Sequence, residues 1–153
     1  MKLAKLITLF LILNFGALAL GIWFMNNGPQ STWYMNLNKA PWTPPGWVFG
    51  FAWTTIMICF AIYMAYLAKN SSNFKYVVPY ALQWLLNVGW NFAFFNQQHI
   101  GMGLIIIIAL TLLAIYIPIT YRKETGNKWL LLLPYSIWLC IATSLNAYIL
   151  IYN

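Results

Sequence analysis

Residues 33–53 read WYMNLNKAPWTPPGWVFGFAW, and the rest of the chain is organised around them. Polar, charged and helix-breaking residues gather here in a sequence that is otherwise apolar. Trp33, Trp42, Trp47 and Trp53 supply planar surface. Pro41, Pro44 and Pro45 fix φ and remove backbone donors, so the path through them is extended or turning. Beyond Gly46 the chain enters a long apolar run. The pattern reads as an ordered aromatic lid leading into a membrane helix.

Composition fixes the solvent. Of 153 residues, 63% are hydrophobic and only 6% charged, against roughly 25% charged in a soluble domain. Such a chain cannot clothe a water-facing surface, and the lipid bilayer is its partner. Five apolar runs, approximately 3–24, 46–68, 76–95, 101–121 and 129–152, are each long enough for a membrane core that takes roughly 20 helical residues to cross. Open sheet edges do not survive in lipid, so the runs are helices. The expectation is an all-α integral membrane protein, a single domain over 1–153: a five-transmembrane-helix bundle with residues 25–45 as an ordered lid. Short connections make successive helices neighbours.

The N-terminal run, with Lys2, Lys5 and Ala17-Leu18-Ala19, has the look of a signal peptide. Its apolar stretch continues through Phe24, beyond the usual length of such a segment, and it is expected to stay as a helix. The net charge is +7, but the cations stand singly in short loops, which suits orientation in a bilayer rather than nucleic acid. Seven of the eight (Lys2, Lys5, Lys69, Lys75, Arg122, Lys123 and Lys128) fall on one side and Lys39 alone on the other. By the positive-inside rule the N-terminus is cytoplasmic, and the first loop and the C-terminus face away from the cytoplasm.

Within the helices, Gln83, Asn87 and Asn91 recur every four residues and share a face bordered by Trp90 and Phe94. Amides are costly against lipid, so this face points either to a neighbouring helix or into a cavity. In the last run Ser136, Cys140, Ser144 and Ala147 form a small-residue seam, while Trp138, Ala142, Leu145 and Asn146 lie elsewhere on the circumference. Trp23, Trp47 and Trp129 read as interfacial anchors; Trp53 and Trp138 sit deeper, where an indole N–H needs an acceptor or a ligand. Small-xxx-small spacings at Gly46/Gly50, Ala61/Ala65 and Gly89/Ala93 suit a neighbouring helix or a homodimer.

The absences narrow the chemistry. No Asp or Glu lies in an apolar run, and the single acidic residue, Glu124, is in a loop, which argues against proton-coupled export. Cys59 and Cys140 have no CxxC spacing and read as packing residues. His99 has no partner for a metal, so no metal site is expected. No nucleophile–base pair or phosphate-binding glycine loop is present.

These motifs together resemble the translocator protein family, also called tryptophan-rich sensory proteins or peripheral benzodiazepine receptors, in a bacterial form. The resemblance rests on residues 33–53, on NVGWNFAFF at 87–95 and on PYSIWLCIATSLN at 134–146. It implies a five-helix bundle with a ligand cavity opening toward the first loop. It implies a receptor or sensor for porphyrins, protoporphyrin IX among them, and for benzodiazepine- or isoquinoline carboxamide-type ligands, with no cofactor required. Carried over by position, Trp53 and Trp138 line the pocket, Trp33, Trp42 and Pro44 belong to the lid, and Asn87, Trp90 and Asn146 complete the lining. Ala142 and Leu145 join it from their place beside Trp138. Two departures stand out. Lys39-Ala40-Pro41 replaces a direct Lys-Pro, and no basic residue follows Tyr148, so sterol binding finds support only in the loose pattern Leu113, Tyr116, Arg122.

A porphyrin is a flat, largely apolar disc with two carboxylates, suited to aromatic walls with a few donors. Three activities compete: ligand sensing, light- and oxygen-dependent porphyrin degradation with Trp53 and Trp138 as photochemical partners, and porphyrin or sterol transport. A bacterial plasma membrane is the expected location.

Overall fold

A computed structural model describes residues 2–153, and all regular structure among them is helical. Helix α1 spans Leu3–Phe24. Asn26, Asn27 and Gly28 then adopt positive φ values of 48°, 68° and 45°. Asparagine and glycine tolerate this region, and the three in succession turn the chain back over the bundle. A 3-10 turn (Gly28–Gln30) follows, and Ser31 caps the short helix α2, Thr32–Asn36, by accepting the Tyr34 N–H at 3.2 Å. Thr43 donates from both N–H and hydroxyl to the Ala40 carbonyl, closing a turn, and the extended Pro45 leads into α3.

Helix α3 spans Gly46–Asn70, about 37 Å at the helical rise of 1.5 Å per residue. Helix α4 spans Val77–Asn91 and passes into one π-helical turn, Phe92–Asn96. Helix α5 spans Ile100–Thr120, and the short α6 spans Arg122–Thr125. The run expected to be helical from Trp129 begins instead as a 3-10 segment, Gly126–Leu132, and the α-helix α7 spans Leu133–Tyr152. The physical reason is Pro134: lacking an N–H, it sits comfortably only in the first turn of an α-helix.

Four segments, built on α1, α3, α5 and α7, are long and apolar enough to cross a membrane. The five crossings expected from the apolar runs are therefore four on this criterion. The exception is α4, whose α-helical part has 15 residues and carries Gln83, Asn87 and Asn91.

Apolar side chains such as Phe51, Ile105, Leu112 and Ile119 point outward, while Phe60, Tyr63, Leu67, Leu110 and Leu139 fill the interior. In lipid, apolar faces do not select one another; polar bonds and close backbone approach do. Asn14, 1% exposed, donates to the Met57 carbonyl at 3.1 Å and accepts the Tyr80 hydroxyl at 2.8 Å. One amide thus ties α1 to α3 and α4. Trp84 adds a bond to the Leu13 carbonyl at 2.9 Å. Farther along α1, a Cβ on Gly21 would stand 2.6 Å from Asn91 Nδ2, so glycine permits the approach of α4. Thr111 and Thr143 hydroxyls 3.0 Å apart, and Ser136 bonding the Ala114 carbonyl, join α5 to α7.

At one end, Asn70 donates to the Glu124 carbonyl at 2.9 Å, Arg122 lies over Trp129, and Lys128 lies over Tyr66. Lys39 is at the opposite end, with its ammonium 4.9 Å from the Tyr34 ring. There Asn38 and Asn153 are bound reciprocally: the Asn38 N–H donates to Asn153 Oδ1 at 2.8 Å, and Asn153 Nδ2 donates to the Asn38 carbonyl at 3.2 Å.

Two outcomes check this account. Asn14→Ala and Tyr80→Phe, combined in a double-mutant cycle in detergent, are expected to couple by about 1 kcal/mol, the scale of buried polar contacts in membranes; additive effects would remove Asn14 from its organising place. Gly21→Ala is expected to destabilise the bundle by about 1–3 kcal/mol through overpacking. Gly16→Ala, where nothing lies within 4 Å of the added carbon, is expected to leave the thermal midpoint unchanged or raise it.

Candidate functional site

Above the Asn14 level the helices separate and enclose a cavity of about 540 Å³. Helix α3 contributes Phe49 and Trp53; α7 contributes Trp138, Ala142, Leu145 and Asn146; α4 and its π turn contribute Trp90, Phe94 and Phe95. Leu18 and Ile22 of α1 close another side, and Tyr34, Lys39 and Pro44 of the first loop cover the end.

The aromatic wall is held by edge and face contacts. Trp138 meets Phe49 edge-on at 5.2 Å and 84°, and Trp53 meets Tyr135 at 6.2 Å and 68°. Trp90 stacks on Phe94 at 5.2 Å and 11°. Both geometries are favourable for rings with a negative face and positive edge. The π turn accommodates one extra residue in the helical path, and Phe94 and Phe95 within it are buried side by side. Gly103 of α5 leaves room for this: a Cβ there would stand 3.0 Å from Phe94 and 3.2 Å from Asn146 Oδ1.

Polar groups at the wall divide into committed and free. Asn146 accepts from the Trp90 indole at 3.1 Å and donates to the Ile100 carbonyl at 3.1 Å, so its amide is a fixed part of the wall. Among the described residues the indoles of Trp42, Trp84 and Trp90 donate within the protein. Those of Trp53 and Trp138 find no partner there and border the cavity. Lys39 donates to the Met35 carbonyl at 3.1 Å, which leaves further ammonium protons. Burial pushes the Tyr34 hydroxyl above the usual phenol range, so it remains a neutral donor.

Seven residues singled out from the sequence come together on this wall: Pro44, Trp53, Trp90, Trp138, Ala142, Leu145 and Asn146. Three do not reach it. Trp33 lies behind it, edge-on to Phe94 at 5.6 Å. Trp42 lies on the outer face of α7, donating to Ser144 Oγ at 3.1 Å and meeting Tyr148 edge-on. Asn87 donates to the Tyr135 hydroxyl, which in turn donates to Gln83 Oε1 at 2.8 Å, so of the two readings of that amide face, packing accounts for Gln83 and Asn87. Asn91 likewise bonds the Asn87 carbonyl. Lining residues not singled out from the sequence include Leu18, Ile22, Phe49 and Ile107. They are apolar residues in apolar helices, and only the i+4 step from Phe49 to Trp53 hinted at one of them.

No carboxylate, imidazole or thiol lines the cavity, and the described residues hold no group of three or more His, Cys, Asp or Glu arranged to take a metal. The site offers flat apolar contact, two indole donors, a phenol and one ammonium. Such a set can bind and orient a flat, partly anionic molecule.

A sequence profile of the TspO/MBR family matches residues 8–152. The chain is 34% identical over 130 residues to a tryptophan-rich protein TspO of Chlorobaculum tepidum, covering 82% of each chain. It is 30% identical over 114 residues to a tryptophan-rich sensory protein of Cereibacter sphaeroides, covering 74% of this chain and 72% of that one. It is also 30% identical over 125 residues to the human translocator protein, covering 78% and 74%. The agreement runs through α1, the first loop and every long helix to the end of α7, and by it this chain belongs to the TspO/MBR family of membrane proteins.

Proposed function

We propose that this protein is a membrane receptor whose cavity binds porphyrins, protoporphyrin IX foremost, and accepts benzodiazepine- and isoquinoline carboxamide-type ligands. The observation that carries the reading is the meeting of Trp53, Trp90 and Trp138 around a cavity of about 540 Å³, inside the range of about 300–1,000 Å³ usual for small-ligand sites. A flat ring lies against the indoles, and its carboxylates reach toward Lys39 and Tyr34 at the loop end. Asn146, 2% exposed and bonded on both sides, holds Trp90 in place for it.

In this reading α4 with its π turn is the fifth crossing, giving a five-helix bundle, and the first loop is the lid. The cationic end is cytoplasmic and the lid and the end of α7 lie on the opposite side of a bacterial plasma membrane.

A second activity is favoured by one feature: the Trp53 and Trp138 indoles border the cavity without a partner inside the protein. With an illuminated porphyrin as photosensitiser and oxygen as oxidant, these two rings are the electron donors or adduct partners of a light-dependent porphyrin degradation. They act by redox contact rather than as acids or bases.

Titration of the detergent-solubilised protein with protoporphyrin IX in the dark is expected to quench tryptophan fluorescence saturably. Trp53→Phe and Trp138→Phe are each expected to weaken binding by about 1 kcal/mol, about fivefold. On illumination in air the porphyrin absorption bands are expected to fade faster than in a protein-free control, and the double variant to abolish the excess. Quenching that never saturates and ignores both substitutions would refute the receptor. Unchanged fading in the double variant would refute the redox role. The charge at the loop end has its own test: Lys39→Gln is expected to weaken protoporphyrin IX by about 0.5–1 kcal/mol, the scale of an exposed ion pair, and to leave affinity for its dimethyl ester unchanged. Equal weakening of both would show that Lys39 meets no carboxylate.

A further inference from the structure

The residues around the cavity differ sharply in exposure according to the helix they come from. On α7, Trp138, Leu145, Asn146 and Ile149 are buried. On α5 and the π turn, Ile107, Phe94 and Phe95 are buried as well. The lining residues that are exposed are Ile22 and Pro29, in and just after α1, and Gly46, Gly50 and Thr54 of α3. The exposed part of the lining thus lies where α1 and the turn after it face the first turns of α3.

Two other sides are covered. At the α3–α7 seam Phe49 packs edge-on to Trp138, and Trp42 spans to Ser144 and Tyr148. Over the end, α2 rests its Trp33 and Tyr34 rings on Phe94 and Phe95. The loop is then clamped to α7 by the reciprocal amides of Asn38 and Asn153, with Asn38 Nδ2 also donating to the Tyr152 carbonyl at 3.0 Å.

The α1–α3 seam is built to stay open and dry. Gly46 and Gly50 stand one turn apart on the same face of α3, and nothing lies within 4 Å of a Cβ placed on either. Their spacing is one that seats a neighbouring helix, yet among the described residues no helix fills it. Thr54, the next residue on that face, donates its hydroxyl to the Gly50 carbonyl at 2.8 Å. The rim thus shows lipid a methyl group, two glycines and the Ile22 side chain, with no unmet polar side-chain group.

We infer that flat apolar ligands reach the cavity sideways from the bilayer, through the α1–α3 seam past Gly46 and Gly50, while the first loop stays clamped to α7. The inference rests on the receptor reading and adds the route. A hydrophobic ring compound partitions into lipid before it meets the protein, so a side entrance spares it a return to water. It also spares the clamp, whose three hydrogen bonds an entry through the loop would have to break.

Stopped-flow quenching by protoporphyrin IX in the dark, with the protein in phosphatidylcholine nanodiscs, tests the route. Gly50→Phe fills the rim, and association and dissociation are both expected to slow by about tenfold, as a narrowed passage requires. The second variant joins Asn38→Cys and Asn153→Cys on a Cys59→Ala, Cys140→Ser background. Oxidising this pair bolts the loop to α7, and the rates are expected to stay within about twofold of those of the reduced form. Slowing by the oxidised bridge that dithiothreitol reverses would overturn the side entrance, whatever Gly50→Phe does. Association of Gly50→Phe at the unsubstituted rate would overturn it equally. If the unsubstituted protein gives no saturable quenching in the dark, the receptor reading falls and takes the route with it, which separates the two failures.

Discussion

Everything in this bundle depends on how few polar side chains lie inside it and where they sit. Lipid is as apolar as leucine, so burying an apolar face against another helix gains little over leaving it in the bilayer. Asn14 breaks the degeneracy. Its amide reaches the Met57 carbonyl on α3 and the Tyr80 hydroxyl on α4, and only one rotation and one height of each helix satisfy both. Gln83, Tyr135 and Asn87 do the same between α4 and α7. With the helices tied at this level, their far halves are free to splay, and the cavity is the result.

The cavity then needs walls stiff enough to keep it from collapsing. The π turn after Asn91, the glycine at position 103 and the doubly bonded Asn146 meet at one corner. Each makes room for or holds the Trp90–Phe94 stack. Across the cavity, Tyr135 stands behind Trp53 and Phe49 beside Trp138. The tyrosine whose hydroxyl fixes α7 against α4 therefore backs, with its ring, an indole that borders the cavity, and packing and site share a residue.

The sequence made the polar and aromatic parts of this arrangement legible because they stand out against an apolar background. Trp53, Trp90, Trp138 and Asn146 could be picked out for that reason, and each reaches the cavity. The same reasoning could not separate Trp33 and Trp42 from them, since an indole in a loop shows no face; one packs behind the wall and the other outside α7. Asn87 shares its face with Gln83, and spacing alone did not say that Tyr135 would take both. Leu18, Ile22 and Phe49 were silent for the opposite reason. In a helix apolar all round, the side facing a cavity carries no mark. The start of α7 moved from Trp129 to Leu133 because the residues up to Leu132 take the tighter 3-10 path and Pro134 fits the first turn that follows. The run at 76–95 was read from its apolarity as a crossing, yet its α-helical part is short and carries three amides, so length and hydropathy do not mark it as one. Family membership came through plainly, since whole blocks rather than single residues carried it.

The central claim is that Trp53, Trp90 and Trp138 enclose one ligand site, with the remaining indoles outside it. Fluorine NMR of the fluorotryptophan-labelled protein, with each resonance assigned by a single Trp→Phe substitution, observes all nine tryptophans of the chain at once. On adding protoporphyrin IX in the dark, the account predicts saturable shifts for Trp53, Trp90 and Trp138 along one binding curve, with Trp23, Trp84 and Trp129 unmoved. Shifts confined to Trp23, Trp47 and Trp129, growing with porphyrin without saturation, would place the ligand on the lipid-facing surface and contradict it.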